Sequence, residues 1–216
     1  ITAPTLTRTG YTYVWDTTPA AKMPAANTTY GAVWTANTYT VTLNTNGGTI
    51  ESGNVTGYAY GTGAALPTNV TRTGYTFAGW YEKENLSGSG TTSIGKTASG
   101  DKTFYAKWTA NTYTVTLNAN GGQISGTTVS RYTYGVGVQL PTTVTRTGYA
   151  FMGWYASEDL TGEPVTAISA TDIGNKTFYA KWDGAAKTAY TVEYYQQDAD
   201  DNRYTKFDSK TLYGKT

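Results

Sequence analysis

The sequence repeats itself, and this repetition constrains the fold more than any other feature. Residues 37–110 align with residues 111–184 without a gap, and a direct count finds 44 identical residues at the 74 aligned positions. Residues 1–36 match the C-terminal half of the same unit, whereas 184–216 follow another pattern. Repetition at a fixed period indicates one structural unit used several times. We therefore predict a truncated repeat over 1–36, full repeats over 37–110 and 111–183, and a linker with the start of a different β unit over 184–216.

Three segments of each full unit favour β-strands. TYTVTLN, residues 38–44, alternates apolar and threonine side chains with the period of a half-buried strand. GYTFAGWY, residues 74–81, predicts a central strand that is covered on both faces or bent at Gly79. KTFYAKW, residues 102–108, predicts the last strand, with alternate residues on one apolar face.

The remaining segments of the unit predict turns and loops. Asn46-Gly47-Gly48 contains the residue types that adopt the positive φ of a tight turn. The same three residues suggest a phosphate-binding nest, but no helix or lysine follows them, and the turn is the stronger interpretation. Residues 82–100 are polar and rich in glycine, so they predict a long loop with one helical turn.

Composition excludes several classes of function. The 216 residues include no cysteine and no histidine, which removes disulfides, thiolate nucleophiles, the usual zinc sites and histidine acid–base catalysis. The net charge of +1 argues against a nucleic-acid partner, and no apolar run reaches the roughly 18 residues of a membrane span. We predict no enzyme activity, no cofactor and no membrane insertion here. The start at Ile1 shows no signal peptide, so we expect the chain to belong to a longer protein.

The repeated aromatic residues are candidates for a ligand platform. Trp80 and Trp154, together with Tyr75, Tyr81, Tyr149 and Tyr155, could stack against the faces of sugar rings. The alternative is that they form the core, since a unit of this size that is poor in leucine must bury aromatic side chains to fold. The core is the interpretation we favour.

Charged residues offer two further candidate sites. Arg72 and Arg146 recur in the TRTG motif and could bind an acidic ligand such as a sulfated glycan, although a solvated charge near Glu82, Glu84 or Glu158 is the simpler interpretation. The acidic run of Asp198, Asp200 and Asp201 could bind Ca²⁺. It lacks the glycine and the distal glutamate of an EF-hand loop, so a solvated hairpin turn is the better prediction.

The motifs resemble a known family. YTVTLNTNGG, LPTNVTRTGYTFAGWY and TFYAKW occur in that order and spacing in a way that is similar to the Listeria–Bacteroides repeat, the B-repeat of internalin-type surface proteins. MPAANTTYGAVW, within 1–36, resembles the family's ending, and YTVEYY in the tail resembles the start of MucBP-type repeats. The resemblance implies an α+β, β-dominated chain of tandem β-grasp-like repeats of about 74 residues.

The resemblance also implies a function. It places the chain on the outside of a bacterium, anchored to the cell wall through other parts of the protein, as a non-catalytic spacer or stalk with a role in adhesion. The alternative is a module that specifically binds a host glycan, a mucin or a host surface protein. A repeated weak site would favour multivalent contacts, because linked sites gain effective concentration.

Overall fold

The computed structural model describes residues 3–22, 24, 26–184, 188–197 and 203–214, and every regular element in these ranges is a β-strand. No helix occurs among them, so the predicted α+β class is wrong. The β-grasp-like prediction is wrong with it, because that arrangement packs a helix on the sheet. The chain is β-dominated and built from tandem repeats.

Residues 82–100, where one helical turn is predicted, form a single turn that does not continue into a helix. The Leu86 N–H donates to the Lys83 carbonyl at 2.9 Å, which closes a single turn. Leu86 then has a φ of +57° and Gly88 a φ of +92°. Left-handed residues end a right-handed helix at once, and the glycines and serines that follow have low helix propensity.

The strands follow the repeat. The truncated repeat contains β1 (Tyr11–Trp15) and β2 (Ala32–Ala36). The first full repeat contains β3 (Thr38–Asn44), β4 (Thr49–Ile50), β5 (Gly57–Ala59), β6 (Ala64–Ala65), β7 (Val70–Thr71), β8 (Tyr75–Tyr81), β9 (Ser93–Ile94) and β10 (Lys102–Ala110). The second contains β11 (Thr112–Asn118), β12 (Gln123–Ile124), β13 (Arg131–Thr133), β14 (Val138–Gln139), β15 (Val144–Thr145), β16 (Tyr149–Tyr155), β17 (Ala167–Ile168) and β18 (Lys176–Gly184). The tail contains β19 (Thr188–Gln197) and β20 (Tyr204–Gly214).

Each full repeat is built on a mixed four-stranded sheet. The order in the first repeat is β5-β3-β10-β8, with β3 and β10 parallel at the centre and antiparallel partners outside them. The second repeat has the same order, β13-β11-β18-β16. The short pairs β4–β7 and β6–β9 join the segments between the long strands. A parallel pair needs a crossover connection, and here irregular chain with short strands supplies it in place of a helix.

One apolar cluster forms the core of each repeat. In the first repeat the buried cluster is Val41, Tyr58, Leu66, Val70, Trp80, Ile94, Phe104 and Ala106. The second repeat buries its counterparts Val115, Tyr132, Leu140, Val144, Trp154, Ile168, Phe178 and Ala180. The core therefore draws one or two residues from nearly every strand of a repeat.

The strand of the GYTFAGWY motif lies at the edge of the sheet. The prediction that β8 is central is wrong, because β10 pairs with β8 on one side and with β3 on the other. The bend predicted at Gly79 is present: the pairing register of β8 with β10 shifts there, and Gly79 has a φ of +118°. A bulge of this kind bends an edge strand and changes its twist.

The chain forms two compact units, Ile1–Asn111 and Thr112–Thr216. In the first, the β1–β2 hairpin packs on the first full repeat: the Asn37 N–H donates to the Gly10 carbonyl at 2.9 Å, and the rings of Tyr11 and Tyr60 meet edge-on at 5.6 Å. In the second, β19 and β20 form an antiparallel hairpin. Asp198, Asp200 and Asp201 lie outside the described residues, and the MucBP-like assignment of the tail stays a prediction.

Candidate functional site: the RTGY turns

Each copy of the unit carries a four-residue turn, Arg-Thr-Gly-Tyr, which we call the RTGY turn. It occupies residues 8–11, 72–75 and 146–149. In all three the tyrosine N–H donates to the arginine carbonyl at 3.0 Å, and the glycine φ is +78°, +78° and +76°. A positive φ at the third position is typical of a type II turn, which glycine adopts without steric cost. The backbone therefore fixes where the arginine and tyrosine side chains leave the chain.

The turn places the arginine on the tyrosine ring. Arg72 Cζ lies 4.1 Å from the Tyr75 ring centroid, and Arg146 Cζ lies 4.0 Å from that of Tyr149. A cation within about 6 Å of an aromatic centroid is attracted by the ring quadrupole. Stacking uses the flat face of a guanidinium, so its N–H donors remain free to bind a planar anion at the edge.

The Asn-Gly-Gly turn lies beside each stacked arginine. Asn46 and Gly47 have φ values of +48° and +86°, which confirms the predicted tight turn. The Asn46 side-chain amide donates to the Ala106 carbonyl at 2.8 Å and so anchors the turn to β10. A Cβ atom built on Gly47 would lie 3.7 Å from Arg72 Cζ. The Arg72 guanidinium is thus positioned between the tyrosine ring and the backbone of Gly47, which has no side chain to displace it.

An open groove of about 570 Å³ borders the arginine of the second repeat. Its lining is Gly121, Gln123, Val144, Thr145, Arg146, Thr147 and Tyr149. Tyr149 is 41% exposed. The groove combines a positive charge, hydroxyl and amide groups and an accessible aromatic ring, which are the groups that bind an acidic sugar or an acidic peptide.

Neither arginine is neutralised by the acidic residues expected near it. Among the described residues, no ion pair joins Arg72 or Arg146 to Glu82, Glu84 or Glu158, whereas Lys206 and Glu193 of the tail hairpin do form one. The positive charges of Arg72 and Arg146 therefore remain available to a partner.

The tryptophans of the motif lie in the core. Trp80 is 1% exposed and Trp154 is 2% exposed. Their indole N–H groups donate to the carbonyls of Pro67 and Pro141 at 2.8 Å and 2.7 Å. Both faces of each ring are covered by protein, so sugar stacking would require the repeat to open.

Tyr81 and Tyr155 lie beneath lysine side chains. Lys107 Nζ is 4.8 Å from the Tyr81 ring centroid, and Lys181 Nζ is 4.7 Å from that of Tyr155. Tyr155 is buried and Tyr81 is half-buried. Of the residues proposed from the sequence, Arg146 and Tyr149 line the open groove, and Arg72 stacks on the half-buried ring of Tyr75. Ligand binding by any of the proposed residues stays a prediction.

Comparison with known proteins finds one family match within each full repeat. Residues 39–107 and 113–181, more than half of the chain, match the Listeria-Bacteroides repeat domain. The chain belongs to this family. No solved structure matches it.

Several longer proteins contain similar stretches. A protein named "Putative Gly-rich membrane protein" from Evansella cellulosilytica is 35% identical over 164 residues, which is 76% of this chain and 18% of that protein. A "Putative membrane protein" of the same organism is 33% identical over 81% of this chain and 25% of its own length. Internalin H of Listeria monocytogenes is 33% identical over 54% of this chain and 20% of its own length. The chain thus spans a quarter or less of each of these relatives.

The groups of the repeats with shifted pKa values make contacts within the fold. Burial raises the pKa of the Tyr58 hydroxyl, which donates to the Gly100 carbonyl at 2.6 Å, and burial likewise raises the pKa of Tyr132. A hydrogen bond from the Thr40 N–H lowers the pKa of Asp101, and bonds from Ser157 and Thr161 lower that of Asp159. Within the described ranges no cluster of acidic residues could hold a metal ion, and no helix there is long and apolar enough to cross a membrane.

Sequence reasoning missed the partners of the basic residues. The stack of Arg72 on Tyr75 could have been found, because two residues three apart around a glycine turn face each other. The contact of Lys107 with Tyr81 could not, since it depends on the register between β8 and β10, which no local pattern specifies.

Proposed function

We propose that this chain is a non-catalytic, extracellular repeat region of a bacterial surface protein, in which the tandem repeats act as a stalk. The observation that carries the proposal is that each full repeat has its own complete core, made without cysteine or metal. Family membership and the similarity to Internalin H support a surface location. A row of units that each bury their own core is suited to holding another domain at a distance, because its length grows with the number of units.

Location can be tested on intact cells of the source bacterium. An antibody raised against residues 37–184 should label intact cells, and external protease should remove the epitope before a cytoplasmic marker is cut. Release by a peptidoglycan hydrolase, but not by detergent, would indicate wall anchoring. Labelling that requires lysed cells would contradict the proposal.

A second candidate function is specific binding of a host glycan, a mucin or a host protein. The observation that favours it is the accessible, unneutralised pair of Arg146 and Tyr149 beside an open groove. Arginine is suited to sulfate and carboxylate groups because its planar donors match them in geometry. Sulfated or sialylated glycans are therefore the probes of choice.

The binding test compares variants of equal charge. The Arg72→Gln/Arg146→Gln double variant should lose most of its binding to a sulfated-glycan array. The Lys83→Gln/Lys96→Gln variant removes the same charge from exposed residues elsewhere and should retain it. Equal loss in both variants would show only non-specific attraction, and no binding by the unaltered chain would exclude this candidate while leaving the stalk proposal untouched.

A further inference from the structure

Two asparagines of the sequence are followed directly by glycine, and these are Asn46 and Asn120 of the Asn-Gly-Gly turns. The backbone nitrogen of the next residue reaches an asparagine side-chain carbon most readily when that residue is glycine, because no Cβ atom hinders the approach. Positive φ values at Asn46 and Gly47, +48° and +86°, make the turn type I′. Within the described residues the Gly47 N–H donates to no backbone carbonyl, so this nitrogen is not held by such a bond.

The asparagine side chain, in contrast, is fixed to the last strand of the repeat. Asn46 Nδ2 donates to the Ala106 carbonyl of β10 at 2.8 Å, and the Asn46 N–H donates to Asn44 Oδ1 at 3.0 Å. The second repeat makes the same two bonds around Asn120, with the same lengths. A side chain held on β10 is not free to turn its carbonyl carbon onto the Gly47 nitrogen.

The backbone of the turn is tied to β10 as well. The Gly48 N–H donates to the Thr45 carbonyl at 3.1 Å, and the Trp108 indole N–H donates to the same carbonyl at 2.8 Å. Asn46 can therefore leave its native position only when the turn separates from β10.

We propose that Asn46 and Asn120 are sites of spontaneous deamidation, which the folded repeat suppresses. When a turn separates from β10 or β18, the glycine nitrogen loses its proton to hydroxide and attacks the asparagine Cγ. The N–Cγ bond forms as the Cγ–Nδ2 bond breaks, and the leaving nitrogen takes a proton from water and departs as ammonia. Water then opens the five-membered imide at either carbonyl, which gives aspartate or isoaspartate.

The product cannot rebuild the native turn. A carboxylate at residue 46 has no N–H for the Ala106 carbonyl and places acceptor oxygens against each other, which costs free energy. Isoaspartate also lengthens the main chain inside the turn, so the Gly48 N–H no longer meets the Thr45 carbonyl. Opening of a repeat thus leaves a permanent chemical change in that repeat.

The first test follows both sites in the complete chain by peptide mass spectrometry. The chain is incubated in mildly alkaline buffer, with and without guanidinium chloride. Both sites should react at the same rate in denaturant and about tenfold or more slowly in the folded chain, since the reaction then waits for local opening. Absence of reaction in denaturant, or an equal rate in the folded chain, would overturn the proposal.

The second test loosens one turn and keeps the other as a control in the same molecule. A Cβ atom at Gly48 would lie 2.3 Å from Trp108 Cζ2, and this substitution leaves the reacting pair Asn46-Gly47 unchanged. Gly48→Ala should speed deamidation of Asn46 in buffer about tenfold, while Asn120 keeps its rate. Gly122→Ala should reverse this pattern. An Asn46 rate that stays at the parent value in Gly48→Ala would contradict control by the contacts of the turn.

The third test examines whether the change is permanent, with Asn46→Asp as the product form. Amide exchange in β3 should become about tenfold faster than in the parent chain, and exchange in β11 should not change. Asn85→Asp adds the same charge at an exposed residue and should leave both unchanged. Parent-like exchange of β3 in Asn46→Asp would mean that the turn closes again, against the proposal. None of the three measurements depends on glycan binding or on surface location.

Discussion

At the scale of single residues, Trp80 combines near-complete burial with a hydrogen bond to the Pro67 carbonyl. Replacing a buried tryptophan by alanine leaves a cavity, so Trp80→Ala should lower the free energy of unfolding of the first repeat by about 3–5 kcal/mol. Trp80→Phe keeps most of the volume and should cost less. Amide exchange of β3, measured in both variants, checks the prediction. A cost below about 1 kcal/mol for Trp80→Ala would show that the core does not depend on this side chain.

A single residue also makes the pH dependence of stability differ between the two full repeats. Asp101 accepts a hydrogen bond from the Thr40 N–H at 2.8 Å, which lowers the pKa of its carboxyl group in the folded state. The stabilisation is therefore present above the unfolded pKa and is lost as pH falls through the lower, folded pKa. Asn175 makes the matching bond to Thr114 in the second repeat and does not titrate.

Asp101→Asn should accordingly flatten the acid side of the stability profile of the first repeat. The reciprocal variant, Asn175→Asp, should add acid sensitivity to the second repeat. Amide exchange of β3 and β11 between pH 2.5 and pH 5 measures both. A profile for β3 that keeps its slope in Asp101→Asn would assign the acid effect to another group.

At the scale of elements, close packing against the Asn-Gly-Gly turn fixes the position of β10. A Cβ atom at Gly48 would lie 2.3 Å from Trp108 Cζ2 and 2.8 Å from the Thr71 carbonyl oxygen. The Trp108 indole N–H donates to the Thr45 carbonyl at 2.8 Å, so the ring cannot withdraw freely. Gly48→Ala should destabilise the repeat by about 1–3 kcal/mol.

The control for this substitution is another glycine of the same repeat. A Cβ atom at Gly95 would meet nothing within 4 Å, so Gly95→Ala should change the unfolding midpoint little. Chemical denaturation of both variants, followed by tryptophan fluorescence, makes the comparison. Equal midpoints would mean that the turn moves away from Trp108 at no cost.

The elements also show what the sequence could predict. The strand over Thr38–Asn44, the turn at Asn46-Gly47 and the bend at Gly79 depend on local chemistry, and all three are present. The predicted helix and the predicted central position of β8 were wrong, the first for a local reason and the second for a non-local one. Strand order follows from which edges pair across some sixty residues, and a helix expected from family resemblance does not form where Leu86 adopts a left-handed conformation.

The residues of the candidate site could likewise be predicted only in part. Aromatic and arginine residues of the repeated motif were identified from recurrence alone, but recurrence cannot separate a core residue from a surface residue. Trp80 and Arg72 are eight residues apart in one motif, yet one is buried and the other stacks on a half-exposed ring. The tight turn at Gly74 and the bulge at Gly79 separate them, and which side of the strand becomes buried depends on the pairing of β8 with β10.

At the scale of the whole molecule, repetition turns a weak site into a stronger one. Under the second candidate function, Arg72 and Arg146 each contribute one weak contact, and linking them raises the effective concentration for the second contact. A surface dense in sulfated glycan should then bind the two-repeat chain far more tightly than a single site would. Arg72→Gln and Arg146→Gln should each weaken apparent affinity by about tenfold or more. The double variant should retain only the weak contact of Arg8, which stacks on Tyr11 in the first RTGY turn.

Surface plasmon resonance at two glycan densities tests this multivalency. At low density, where only one contact can form, each single variant should lose about half of the binding sites and little affinity. At high density the same variant should dissociate much faster, because most affinity differences appear in the dissociation rate. Rising salt should weaken binding at both glycan densities, since exposed charges are screened. Single variants that behave alike at both densities would show that the repeats bind independently, and the tandem arrangement would then serve length alone.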